Sequence, residues 1–372
     1  MFFEKISSFL TSRWRSLDKG LLYGIFTLML FGIFLTLAAS PGVAERTRLE
    51  SFHFIKRQFF FLAPAIATLF LTSLLTFQQI RRLSALILLV SIFSMLYVLL
   101  FGMEIKGAQR WIHLLGITIQ PSEFAKPAFA VVCAWLLASG RLIKQFPGYL
   151  LASGLFILIT CLLLGQPDVG MALTIASIFC VQLFLSGIPM ALVGILMALF
   201  AAFASFAYFF FDHVHARINR FFMAQAGEAY QVRKSLETLQ NAGWFGKGPG
   251  EGLVKYELPD AHTDFILAVS AEEFGFILTC LLVGLFLFII LRGFFLIRQE
   301  NNYFSQIAVG GLLTQIAFQA IVNMGSTLNL LPTKGMTLPF ISYGGSSLVS
   351  IGFAFGVILG LTRSHTLSRG LE

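Results

Sequence analysis

Charged residues are scarce in this sequence. Only 12% of its 372 residues are Asp, Glu, Lys or Arg, whereas 57% are hydrophobic; soluble globular proteins average about 25% charged residues. Because so few charges cannot cover the surface of a soluble protein of this size, the composition excludes a soluble enzyme and a disordered chain. Each helical crossing of a bilayer takes about 20 apolar residues, so the hydrophobic content predicts about ten crossings.

Cysteine is scarce too, and the basic residues are dispersed. The four cysteines, Cys133, Cys161, Cys180 and Cys280, all fall inside apolar runs, so we expect no disulfide framework. The formal net charge is +8, but the lysines and arginines are spread over short loops instead of forming one stripe. This pattern argues against nucleic acid as a partner and favours an anionic membrane surface or lipid headgroup.

The apolar runs predict an all-α polytopic membrane protein with about ten transmembrane helices. One long loop, 212–263, separates the seventh and eighth predicted spans and is the largest water-facing segment. The predicted spans are Gly20–Ser40, Gln58–Phe77, Leu83–Phe101, Ser122–Gly140, Gly148–Gly165, Asp168–Gly187, Ile188–Phe211, Asp264–Leu291, Tyr303–Ser326 and Ser346–Thr362.

Both termini are predicted to lie in the cytoplasm. With that orientation, the inner segments carry more Lys and Arg than the short outer loops do. Residues 1–19 then form a cytoplasmic segment whose apolar residues, at helical spacing, suit an interfacial helix. Residues 20–363 form the transmembrane domain, 364–372 form a cytoplasmic tail, and the long loop lies outside the membrane.

A charged pair interrupts the fourth predicted span. Glu123 and Lys126 are three residues apart in a helix and therefore share one face. Ionisable groups at membrane depth are costly and usually face a partner or a cavity. Two interpretations stay open: an ion pair that neutralises itself, or a lysine offered to an anionic headgroup and oriented by the glutamate.

Two more charged residues lie at the edges of spans. Arg110 precedes Trp111, a pattern typical of an interfacial anchor but also of a guanidinium fork for phosphate. Asp168 opens the sixth predicted span, where a carboxylate either caps the helix or lines a polar cavity.

Asp264 opens the eighth predicted span, directly after the long loop and close to His262. Helix capping is one interpretation. The other is a general base, since a carboxylate at the outer membrane edge is well placed to take a proton from a substrate. Glu272 lies on a similar face of the same helix and Glu273 on the opposite one. Of the two, Glu272 alone could share a cavity with Asp264, and structural pairing is the favoured role for both.

Two segments rich in turn residues flank this helix. The alternating glycines of Gly243–Gly252 follow no strand, so they predict a flexible loop and not a dinucleotide fingerprint. Residues Leu331–Ser347 are irregular, and irregular backbone at membrane depth must be buried in protein or line a water-filled cavity. We expect this segment to line the same external cavity as Asp264.

Six short motifs occur along nearly the whole chain: Gly107–Trp111, Gln120–Lys126, Gln166–Gly170, His262–Ile266, Ala271–Gly275 and Pro339–Ser346. In these motifs and their order the chain resembles the SEDS family of cell-wall glycosyltransferases, which includes FtsW and RodA. Residues Pro332–Pro339 and Lys255–Tyr256 are similar to the division-associated branch. The middle of the long loop, around Tyr230–Ser235, departs from the family pattern.

The resemblance implies an enzyme that polymerises lipid II into peptidoglycan strands outside the cytoplasmic membrane. Asp264 matches the family's catalytic carboxylate and would be the general base. A divalent cation, Mg²⁺ or Mn²⁺, is compatible with this chemistry. The residues that match the family's substrate- and diphosphate-binding positions are Arg110, Glu123, Lys126, Asp168 and Arg220.

The implied partners are lipid II, the undecaprenyl diphosphate-linked glycan, a class B penicillin-binding protein acting as transpeptidase, and other division proteins. Three alternatives stay open. The charged residues at membrane depth also suit a lipid II flippase, and the family includes elongation-type polymerases similar to RodA. A non-enzymatic scaffold that recruits division proteins would need none of these charges.

Overall fold

The structure is a computed structural model. It describes residues 13–14, 16–46, 50, 52–102, 109–114, 116–189, 191–192, 194–195, 198, 202, 205, 208–212, 215, 226–258, 260–331 and 335–363. The first part of the predicted interfacial helix, Arg220 and the tail 364–372 lie outside the described residues.

Long helices make up most of the described structure, together with a short β-hairpin. Strands β1 and β2 pair antiparallel, with Ile112 opposite Ile119, and a 3-10 turn spans Val254–Tyr256. The helices are α1 Lys19–Arg46, α2 His53–Ser73, α3 Phe77–Phe101, α4 Pro121–Leu142, α5 Gly148–Gly165, α6 Val169–Leu185, α7 Ala226–Asn241, α8 Ile266–Gln299, α9 Tyr303–Thr327 and α10 Gly345–Leu361; the strands are β1 Ile112–Leu114 and β2 Ile117–Ile119.

The predicted multi-pass helical class is confirmed. Within the described residues, seven helices are long and apolar enough to cross a membrane: α1 to α5, α8 and α9. Helices α6 and α10 are apolar but shorter, with 17 residues each. Of the 24 residues of the predicted span Ile188–Phe211, 11 fall outside the described residues. Helix α7 lies within the predicted long loop, where no helix was expected.

Local sequence explains several helix starts. Proline at the first position of α4 has no N–H to leave unsatisfied and has a helical φ already. Thr76 and Gln79 form a capping box at the start of α3. Asp168 is the N-cap of α6, and its Oδ1 accepts from the Met171 backbone N–H at 3.3 Å. The helix-cap interpretation of Asp168 is therefore correct.

The core of the bundle is built around α4 and α10. In α10 every residue is buried except Gly345 and Val349, which are half-buried. Two glycines on α10 face α2: a Cβ atom added to Gly352 would lie 2.4 Å from the Ala65 carbonyl oxygen, and one added to Gly356 would lie 1.9 Å from Thr72 Oγ1. Small residues at these positions allow the two backbones to approach closely.

Helix α8 is broken at Gly275, whose φ of 84° is a conformation that favours glycine. The segment Gly243–Gly248 docks at this break. Phe276 N–H donates to the Gly243 carbonyl at 3.0 Å, and Gly248 N–H donates to the Glu273 carbonyl at 3.0 Å. A Cβ at Gly246 would lie 2.4 Å from the Glu273 carbonyl oxygen. The predicted loop is present, and its glycines allow it to hydrogen-bond to the peptide groups that the break exposes.

Candidate functional site

A cavity of about 780 Å³ opens at the end of the bundle where α2 and α4 begin. Its wall combines the first turns of α2, the hairpin, the start of α4 and the two segments that flank α8 and α9. The polar and charged residues that line it are Lys56, Arg57, Thr118, Gln120, Glu123, Asp260, His262, Thr263, Asp264, Thr337, Tyr343, Ser346 and Ser347. The segment after residue 335 therefore lines the cavity, as its irregular sequence predicted.

Backbone contacts hold Asp264 at the cavity. Its N–H donates to the Asp260 carbonyl at 3.0 Å, and Asn323 Nδ2 donates both to the Asp264 carbonyl at 3.2 Å and to the Met336 carbonyl at 2.8 Å. The N-cap of α8 is Phe265, without a side-chain cap. The helix-cap interpretation of Asp264 was therefore wrong, because the helix begins two residues later and the carboxylate lines the cavity.

His262 forms an uncharged part of the wall. Its ring packs against Phe54 at a centroid distance of 4.4 Å and against Tyr343 at 5.3 Å. Burial lowers the pKa of His262 from 6.5 to about 4, against the opposing effect of Asp260. The imidazole is therefore neutral at pH 7 and packs as an aromatic ring beside Asp264.

Glu123 lines the cavity, but Lys126 does not. Lys126 Nζ lies 2.9 Å from Glu123 Oε2, and the lysine side chain is 0% exposed. Ser350 Oγ donates to the Glu123 carbonyl at 2.6 Å and ties α4 to α10. The structure thus has the neutralised ion pair. The expectation that Lys126 touches a diphosphate needs correction, because Glu123 stands between the ammonium group and the cavity.

Arg110 and Asp168 lie behind the same wall. Arg110 Nε is 3.5 Å from Asp168 Oδ2, and the guanidinium also donates to the carbonyls of Gln166 and Pro167. Gln120, which lines the cavity, donates to Asp168 Oδ2 at 3.4 Å. Neither charged residue lines the cavity in this structure, so their predicted contact with substrate is replaced by a link through Gln120. Arg220 lies outside the described residues.

Two cations at the cavity were missed by sequence reasoning. Lys56 and Arg57 lie in the first turns of α2 and line the cavity. Lys56 Nζ pairs with Glu50 Oε2 at 2.7 Å, with both side chains exposed, and Arg57 Nη2 donates to the Gly116 carbonyl at 3.3 Å. Adjacent basic residues before an apolar run are ordinary membrane-flanking charges, so nothing in the sequence distinguished this pair.

Glu272 and Glu273 take part in structural ion pairs outside the cavity. Glu272 Oε1 lies 2.8 Å from Lys247 Nζ, and Glu273 Oε1 lies 2.6 Å from Lys255 Nζ. We call these two pairs the loop lock, because they join Lys247 and Lys255 of the long loop to α8. Structural pairing, the role favoured for both glutamates, is what the structure has, and Glu272 does not line the cavity of Asp264.

The chemistry available in the cavity follows from its charges. The half-buried carboxylates of Asp260 and Asp264 and the buried carboxylate of Glu123 line the same space as the cations Lys56 and Arg57. A carboxylate accepts a proton, and cations stabilise a departing anion. In the described part of the chain, no group of three or more His, Cys, Asp or Glu side chains is arranged to hold a metal ion.

Comparison with known proteins identifies relatives over nearly the full length. The family model FTSW_RODA_SPOVE, described as cell cycle protein, matches residues 19–367. A probable peptidoglycan glycosyltransferase FtsW of Caulobacter vibrioides is 40% identical over 353 residues, covering 95% of this chain and 90% of that protein. A second one, of Trichlorobacter lovleyi, is 34% identical over 364 residues, covering 94% of each chain.

Solved structures with the same fold include two cell-wall proteins. A chain of a peptidoglycan synthase complex that coordinates polymerization and crosslinking superposes with a TM-score of 0.77 at 25% identity, covering 96% of this chain and 99% of that one. RodA, a rod shape determining protein of Thermus thermophilus, superposes with a TM-score of 0.67 at 26% identity, covering 94% and 97%. The chain therefore belongs to the family of FtsW, RodA and SpoVE, as its motifs indicate.

Proposed function

We propose that this protein is a peptidoglycan glycosyltransferase that polymerises lipid II during cell division. It is a multi-pass protein of the inner membrane. Its similarity to proteins named FtsW, at up to 40% identity in the comparisons above, supports the division role over the elongation role of RodA. The observation that carries the proposal is the placement of Asp264 in one cavity with Lys56 and Arg57.

Asp264 acts as the general base. It takes the proton from the sugar 4-hydroxyl of the acceptor lipid II, and that oxygen then attacks the anomeric carbon of the growing glycan. The bond from this carbon to undecaprenyl diphosphate breaks, and the diphosphate leaves with the bonding electrons. Asp264 is held by backbone contacts on both sides, so its carboxylate needs little reorganisation before the reaction.

The cations divide into two groups in this mechanism. Lys56 and Arg57 line the cavity and neutralise the departing diphosphate. Lys126 and Arg110 act from behind the wall, where they orient Glu123 and Asp168. This assignment replaces direct contact of Lys126 and Arg110 with the substrate.

A divalent cation is a separate part of the proposal. Mg²⁺ commonly binds through one or two carboxylates together with substrate phosphates. Glu123, a second carboxylate on the cavity wall, would hold such an ion jointly with the diphosphate and leave Asp264 to accept the proton; the ion would supply further neutralisation of the leaving group. The carboxylates of this cavity fit only a shared ion of this kind, since the described residues form no complete metal-binding group.

Orientation and partnership complete the proposal. The excess of Lys and Arg in the inner segments supports cytoplasmic termini and an extracytoplasmic cavity. We also propose a class B penicillin-binding protein as partner, to crosslink the strands made here. The likeness to a chain of a synthase complex that couples polymerization to crosslinking supports this partnership.

The test compares purified wild type with Asp264→Asn in a lipid II polymerisation assay, with and without the transpeptidase. A general base contributes about 10²- to 10⁴-fold, so Asp264→Asn is expected to lose at least about two decades of activity. Asp260→Asn is the matched control, since it removes a carboxylate from the same cavity and asparagine tolerates the positive φ at this position. Near-normal polymerisation by folded Asp264→Asn would contradict the assignment. Headgroup translocation in vesicles without any glycan product would instead favour a flippase.

A further inference from the structure

Two arginines meet at the end of the bundle opposite the cavity. Arg13 donates to the Leu74 carbonyl, and Arg363 Nη2 donates to the Leu75 carbonyl at 3.0 Å. These carbonyls belong to the turn that ends α2 and precedes α3. One segment before α1 and one after α10 thus bring a guanidinium group to the same turn.

The second guanidinium is not needed for helix capping alone. One cation at the C-terminus of α2 already complements the helix dipole, and a second cation beside it adds repulsion. Burial, and then the charge of Arg13, lower the pKa of Arg363 to about 10, so both groups stay charged at pH 7. Arg363 Nη1 is buried and has no hydrogen-bond partner among the described residues. A buried charged donor without an acceptor is unfavourable, and an anion would satisfy it.

The surroundings place this pair at the level of lipid headgroups. Helix α2 has 21 residues and is therefore about 30 Å long, the thickness of a bilayer's hydrocarbon core. Its first turns line the cavity and its last turn meets the arginines. Trp14 packs against Phe70 at a centroid distance of 5.3 Å and is 47% exposed, as expected for an aromatic side chain at a membrane surface.

We propose that Arg13 and Arg363 form a binding site for the phosphate group of an anionic phospholipid in the leaflet opposite the cavity. Arginine binds phosphate through paired N–H groups, and Arg363 Nη1 provides a donor that none of the described residues accepts from. Assignment to the cytoplasmic leaflet rests on the orientation in the proposed function. The anionic surface of that leaflet attracts basic groups.

The test measures lipid binding to the purified full-length protein in neutral detergent by native mass spectrometry. Short-chain phosphatidylglycerol is titrated first, with short-chain phosphatidylcholine and inorganic phosphate as separate arms. Wild type is expected to prefer phosphatidylglycerol, and Arg363→Gln to weaken its binding by about tenfold or more, the loss expected for a hydrogen bond to a charged group. The control is Arg298→Gln, which removes an exposed arginine near the same membrane surface at the end of α8 and is expected to change little.

Each outcome decides the proposal. It is overturned if wild type binds phosphatidylcholine as well as phosphatidylglycerol, or if Arg363→Gln and Arg298→Gln lose affinity equally. Inorganic phosphate that competes at equal concentration would identify a free-anion site instead of a lipid site. Arg13→Gln provides a second variant if Arg363→Gln folds poorly. The preference of the wild type for phosphatidylglycerol over phosphatidylcholine is measured without either variant. Because binding is measured without lipid II, failure here leaves the polymerase assignment untouched.

Discussion

Breaking the buried Lys255–Glu273 ion pair of the loop lock is expected to lower the free energy of unfolding strongly. Lys255 Nζ lies 2.6 Å from Glu273 Oε1 and also donates to the carbonyls of Gly250 at 2.8 Å and Ala38 at 3.1 Å. Both side chains of this pair are at most 1% exposed. Removing one partner from such a pair leaves an uncompensated buried charge, at a cost of about 3–5 kcal/mol. Lys255→Met and Glu273→Gln are each expected to lose that much.

The other half of the lock provides the internal comparison. The Lys247 side chain is 37% exposed, and its partner Glu272, although 0% exposed, also accepts from the Leu253 N–H at 3.0 Å. Lys247→Met should therefore cost less than Lys255→Met, about 1–3 kcal/mol. The measurement is the free energy of unfolding of each variant in mixed micelles. The double variant Lys255→Met/Glu273→Gln should lose clearly less than the sum of its single variants, because the second change removes the charge that the first left unpaired. Additive losses, or equal losses at Lys247 and Lys255, would refute this reasoning.

Three further predictions concern single sites. Gly275→Ala should destabilise by about 1–3 kcal/mol or more, since φ is 84° and the new Cβ would lie 2.4 Å from the Gly246 nitrogen; Gly284→Ala, with no neighbour within 4 Å, should be neutral or stabilising in the same unfolding assay. His262 has a folded-state pKa of about 4, below the ordinary 6.5, so on lowering the pH the unfolded chain takes up the proton before the folded protein does. The free energy of unfolding should therefore fall as the pH drops from 6.5 toward 4, and His262→Phe should flatten that pH profile. Arg57→Ala should raise the KM for lipid II by about two- to tenfold, a modest change because the side chain is exposed. Arg82→Ala, at the end of the bundle opposite the cavity, should leave the KM unchanged. Equal KM values for the two variants would show that Arg57 does not belong to the site.

Hydrophobic runs predicted the spans well because the bilayer imposes one length on all of them. The predicted span Gly148–Gly165 is α5 residue for residue, and most other described helices differ from their predictions by a few residues at each end. The hairpin of β1 and β2 and helix α7 were not predicted. They belong to none of the predicted spans, so the length rule does not apply to them and tertiary contacts select their structure.

The site was predictable only in part. Asp264 and the segment after residue 335 could be assigned to one cavity, because irregular backbone and polar groups at membrane depth need a polar space. Glu123 was placed there only by the resemblance to the family. Whether a charge faces that space or a partner behind its wall depends on packing. Lys126 and Arg57 are both cations near the start of a helix, yet one is fully buried against Glu123 and the other lines the cavity.

Helix α10 is buried inside the bundle, whereas α3 and α5 expose side chains on its outside. This helix is enclosed by protein nearly all along its length, and its first turn, with Ser346 and Ser347, forms part of the cavity wall. Side chains on α3 and α5, such as Phe93 and Leu150, are exposed on the outside of the bundle. The lipid tails therefore meet the outer helices and not α10, so the 17-residue length of α10 is matched to its protein neighbours and not to the thickness of the bilayer.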